Sequence, residues 1–80
     1  MENKIAVVAI IVSDTESVER INALLHEFGK HIIGRLGIPH REKGVNVISV
    51  VVDAPQEIIS SLSGKLGMIK GVSSKVLTTK

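Results

Sequence analysis

The stretch GRLGIPHREKG, residues 34–44, gathers a histidine, two arginines and a Glu-Lys pair, punctuated by three glycines and a proline. A guanidinium held out of water needs a carboxylate or an anionic ligand, so this cluster is the first place to look for binding. The same residues also suit a turn. Pro39 removes a ladder donor, and Gly44 permits a positive φ. Arg35, Gly37, His40, Arg41 and Glu42 are therefore candidates for contact with a small anion or a neighbouring subunit. Gly64 joins them for a different reason: it falls inside a helical stretch at a cost of about 1 kcal/mol relative to Ala. Close packing of helix on sheet, a kink, or room for a ligand would each account for it.

Other chemistry fails on residue type or spacing. His26, His31 and His40 stand apart from one another in sequence, and the chain has no cysteine. Thiolate metal sites, iron–sulfur ligation and disulfides are excluded together, and no metal or cofactor is expected. Serines 60, 61, 63, 73 and 74 have no histidine nearby in sequence. SGKLG lacks the preceding glycine of a P-loop, so Lys65 does not match a phosphate-binding lysine. Gly34-x-x-Gly37 matches the backbone clamp of KH domains only as a string, because it falls within a strand. The sole aromatic is Phe28, so no strand offers a base-stacking platform for RNA. VSDTES places an aspartate and a glutamate where an acyl-phosphate hydrolase would need an anion cradle. No acid–base or nucleophile constellation remains, and the chain reads as a non-enzyme.

The elements that must position these residues follow from periodicity. Residues 4–12, KIAVVAIIV, are short and β-branched and predict a strand. Ser13 and Glu16 have capping-box spacing. Val18, Ile21, Leu25 and Phe28 then recur at helical intervals, with Gly29 as a left-handed cap, giving a helix over 14–28. Strands are predicted at 31–38 and 45–52, joined by a hairpin from Pro39 to Gly44. Asp53 is the expected N-cap of a helix over 54–66, with Pro55 in its first turn, Ile58, Ile59, Leu62 and Leu66 inward, and Gly67 as its stop. A last strand spans 72–78. The order βαββαβ with two right-handed crossovers is an α+β, ferredoxin-like sandwich: a four-stranded antiparallel sheet with two helices on one face.

Eighty residues make one domain, 1–80, with 44% hydrophobic content. The net charge is +2, but the basic residues are scattered, and no nucleic-acid footprint is expected. The longest apolar run, Ile5 to Val12, is eight residues, too short for a bilayer, and SDTES after it is no cleavage site. A soluble cytoplasmic protein with no membrane association is expected.

The informative anomaly is the face the helices cannot cover. A sheet wet on one side should alternate apolar with polar, yet both parities of the first and third strands are apolar. Ile5, Val7, Ile11, Val47 and Val51 are left facing outward. The expectation is a homo-oligomer, dimer or tetramer, joined through that face. Arg35 shares parity with Ile33 and Gly37, which places its guanidinium on the same open side, with Glu42 of a neighbouring subunit or a small anion as partner.

NALLHEFG, GRLGIPHREKGVNVISVVVD and LSGKLGMIKGVSSKVLTTK together resemble a family of small regulators of the iron-only hydrogenase system. Leu62-Ser-Gly-Lys-Leu-Gly67 followed by Gly71-Val72 is the most specific part, and the resemblance covers essentially the whole chain. It implies an ACT-like fold, similar to the C-terminal domain of the nickel-responsive repressor, and a cytoplasmic, oligomeric, non-enzymatic regulatory module, with control of transcription as one expected role. The nickel-responsive relatives bind metal through histidines and a cysteine around the central strands, where this chain has VNVISVVVD. Amino-acid-binding ACT domains use a glycine-containing turn after the first strand, where this chain has VSDTES. The resemblance therefore implies regulation through a ligand or protein partner, without naming either. A purely structural oligomerisation domain that binds no ligand is the alternative.

Overall fold

A computed structural model describes residues 2–79. Strand β1 (Asn3–Val12) leads through a 3-10 turn (Thr15–Ser17) into helix α1 (Val18–Glu27). A second 3-10 turn (Gly29–His31) precedes β2 (Ile32–His40), and a third (Arg41–Lys43) connects it to β3 (Val45–Pro55). Helix α2 (Gln56–Gly67) and strand β4 (Val72–Thr78) complete the chain. The sheet order is β2-β3-β1-β4 with every neighbouring pair antiparallel, which is the ferredoxin-like βαββαβ arrangement.

The core forms where period-2 strands meet period-3.6 helices. Ala6, Val8, Ile10 and Val12 of β1 and Ile48, Val50, Val52 and Ala54 of β3 are buried on one side of the sheet. Ile21 and Leu25 of α1, Phe28 at its end, and Ile59, Leu62 and Leu66 of α2 close over them. Burying each large aliphatic side chain contributes about 1.5–3 kcal/mol. Both helices bury one stripe only, so they cover a single face.

Several local expectations are corrected by longer-range contacts. Ser13 does not form a capping box. Its backbone N–H and its hydroxyl both donate to the Gly71 carbonyl, at 2.8 and 3.1 Å. Asp14 takes the capping role instead, its carboxylate accepting from the Glu16 N–H at 3.0 Å and tightening Thr15–Ser17 into the 3-10 turn. Asp53 does not cap α2, because β3 continues to Pro55, paired residue by residue with Asn3 to Ile5. Ladder hydrogen bonds outcompete the cap there. The helix begins from an extended Pro55 with no side-chain cap. Gly67 lies inside the last turn of α2, with Met68 at its C-cap.

The two left-handed glycines are Gly44, at φ 66° in the hairpin, and Gly71, at φ 75°. Gly29 is not one of them, since a 3-10 turn follows α1 directly. Gly71 is doubly constrained, as a Cβ there would approach the Asp14 Cβ to 2.6 Å. The Ser17 hydroxyl, on a buried residue, donates to the Lys70 carbonyl at 2.7 Å. The loop after β1 and the loop before β4 are thus clasped together.

Candidate functional site

The hairpin and the uncovered face of the sheet hold the residues that could bind. β2 runs further than the sequence suggests, to His40, while β3 begins at Val45 as expected, so the connection shrinks to Arg41–Gly44. Pro39 is tolerated inside β2 because β2 is an edge strand. His40, Arg41 and Glu42 are all exposed. His40 and Arg41 line a shallow concavity of about 310 Å³ with Pro39, Gly44, Val45, Asn46 and Thr15. Thr15 and Asn46 were not legible as site residues. They arrive from the turn after β1 and from β3, brought there only by folding.

Arg35 is placed differently from the sequence expectation. The register of β2 on β3 shifts between Ile32 and Gly34, leaving Ile33 as the extra residue of a bulge. Ile32 pairs with Val52 on the helix side, but Gly34 then pairs with Val51 on the outer side. Parity is inverted from there on. Arg35, opposite Val50, therefore lies on the helix side, where its guanidinium donates to Asn22 Oδ1 of α1 at 3.0 Å. Gly37, opposite Ile48, shares that side. Among the described residues Glu42 has no ion-pair partner.

Gly64 is not brought to the hairpin. It sits on α2, which packs mainly on β4, β3 and β1. A Cβ at Gly64 would meet nothing within 4 Å, so close helix–sheet packing does not explain it. It borders an open depression of about 330 Å³ with Gln56, Ile59, Ser60, Ser63 and Val76. Among the described residues, no three His, Asp or Glu side chains converge as a metal site would need. His26 is exposed on α1 and His31 half-buried in the turn before β2.

The uncovered face bears out the parity reading for β1 and β3. Ile5 and Val7 are each 39% exposed, Ile11 49% and Val47 38%, while Val51 is half-buried. The bulge adds residues that sequence parity had assigned inward. Leu36, opposite Ser49, and Ile38, opposite Val47, join this face at 60% and 49% exposure. From β4, Leu77 lies opposite Val7 and is also exposed. The result is an apolar surface spanning all four strands.

An antiparallel sheet ordered β2-β3-β1-β4 with two helices on one face defines a ferredoxin-like α+β domain. The chain belongs to the TM1266-like family, whose model, described as "Iron-only hydrogenase system regulator, putative", matches residues 4–76. The family's description is regulatory. The chain is also similar to the solved structure of uncharacterized protein TM1266 from Thermotoga maritima. The two are 35% identical, with TM-score 0.94 over 99% of this chain and 100% of that one. A formyltetrahydrofolate deformylase from Pseudomonas putida KT2440 shares the fold, with TM-score 0.60 and 15% identity over 92% of this chain and 28% of that one. No curated protein matches the chain. Among the described residues no helix is long and apolar enough to cross a membrane.

Proposed function

We propose that this chain is a homo-oligomeric regulatory module whose subunits meet through the uncovered face of the sheet. In this reading a small anionic ligand or a protein partner acts by shifting subunit packing rather than through catalysis. The observation that carries it is the outward row Ile5, Val7, Ile11, Val47, Leu36 and Ile38, large apolar side chains grouped on the one side of the sheet that no helix covers. The family description supports regulation. The concavity beside His40 and Arg41 is where an anion would be sought first.

Substitution separates this reading from a monomeric binder. Each outward aliphatic side chain buried between copies contributes about 1.5–3 kcal/mol, set against the entropic cost of association. Val47→Asp or Val51→Asp introduces an unpaired carboxylate into that contact, at a cost of several kcal/mol. Either change is expected to give monomer or insoluble protein, while Ser60→Asp on the exposed side of α2 leaves association intact. Light scattering on the three variants reads the outcome, and unaltered oligomers of Val47→Asp would overturn the proposal. A thermal-shift screen with anionic metabolites then asks for the ligand. Stabilisation by one of them marks a sensor, and no response marks a structural oligomerisation domain.

A further inference from the structure

We infer that a second copy of this chain covers the open face in one particular register, set by reciprocal ion pairs between Asp53 and Lys75; this rests on the oligomeric reading above. Among the described strand residues, the outward face carries one carboxylate, Asp53, and one lysine, Lys75, with His40 at the hairpin end. Everything between them is apolar or small. Asp53 is half-buried, Lys75 is exposed, and neither has an ion-pair partner among the described residues.

Their placement is symmetric about Val7. Asp53, on β3, lies opposite Ile5, two residues from Val7 along β1. Lys75, on β4, lies opposite Ala9, two residues from Val7 in the other direction. One charge is a strand to one side and a step forward; the other is a strand to the opposite side and a step back. At about 3.4 Å per residue and about 4.8 Å per strand, the two backbone positions are roughly 17 Å apart. That exceeds the reach of an ion pair within one chain.

Two sheets stacked face to face are related by a twofold axis lying between them, and such a contact is isologous. An axis running diagonally over Val7 exchanges the two positions. Asp53 of each copy then meets Lys75 of the other, and Val7 packs on its own counterpart. Leu36 lies on the same diagonal, since it is opposite Ser49, which in turn is opposite Ala9. An apolar contact that left these two charges without partners would lose stability, whereas this register satisfies both at once. A shallow trough of about 380 Å³ beside Lys75, floored by Ala9 and bounded by Ile11 and Ser73, leaves space for side chains of the other copy.

The test is charge exchange in trans. D53K homodimers face two lysines in each pair, and K75D homodimers face two aspartates. Each variant alone is expected to associate at least about tenfold more weakly than wild type, because like charges face each other across the contact. Mixing the two variants one to one places opposite charges in both pairs. The mixture is expected to recover association, as heterodimer, to within a few-fold of wild type by sedimentation. The double variant D53K/K75D restores both pairs in a homodimer and is the second reading if either single variant does not fold. Unchanged association of the single variants, or no recovery in the mixture and the double variant, overturns the register while leaving the oligomer standing. A wild-type monomer instead removes the oligomeric reading itself.

Discussion

Along β1, Ala6, Val8, Ile10 and Val12 lie beneath the helices, while Ile5, Val7 and Ile11 look outward from the same strand. β3 repeats the pattern, with Ile48, Val50 and Val52 inward and Val47 outward. The two faces are built from the same residue types. Inside a chain that needs only one core, apolar residues on the second face are a liability, since exposed sheet invites edge and face association. Their presence makes sense when the second face is a core as well, completed by another copy. The covered face holds the fold; the open face holds the proposed assembly.

Substitutions that treat the faces separately sharpen this contrast. The largest effect is expected under the helices. Leu62→Ala, at a fully buried position, should cost about 2–5 kcal/mol in urea unfolding, through lost transfer energy and a residual cavity. Ile11→Ala, on the open face, should change the stability of the dissociated chain by no more than about 0.5 kcal/mol, and act on association instead. Equal losses of chain stability from the two changes would erase the distinction between the faces.

A smaller effect is expected at the clasp that seats both loops at one end of the covered face. Gly71→Ala must accept a left-handed φ and push against Asp14, so a loss of about 1–3 kcal/mol in thermal unfolding is expected. A neutral Gly71→Ala would mean that the Ser13, Asp14 and Ser17 contacts yield freely. The smallest effect belongs to Arg35→Ala. Its hydrogen bond to Asn22 is exposed, so the thermal midpoint should move by no more than about 0.5 kcal/mol equivalent and association should not change. A large loss of association would return Arg35 to the open side.

Much of this contrast could be read from the sequence, and the remainder depended on pairing. Both parities of KIAVVAIIV and VNVISVVV are apolar, so no polar residue marked the phase. The phase with Ile5, Val7, Ile11, Val47 and Val51 outward agrees with the structure, and period 2 carries it along two strands without a bulge. The helix stripes Ile21, Leu25 and Ile59, Leu62, Leu66 were plain. β2 was misread by one residue, because nothing in HIIGRLGI marks Ile33 as a bulge. That inserted residue sent Arg35 to the helix side and Leu36 and Ile38 to the open one. Ser13 and Asp53 carried good local capping signals that a distant carbonyl and a continuing ladder overrode. Of the candidate site, His40 and Arg41 come together at the concavity, Arg35 and Gly37 lie on the helix side of β2, and Glu42 and Gly64 stand apart from it.

The most direct measurement is the mass of the wild-type chain by light scattering across micromolar concentrations. The account predicts a dimer or larger species, at least twice the 8.6 kDa of a single chain, that persists on dilution to a few micromolar. A stable species of 8.6 kDa throughout that range would contradict it.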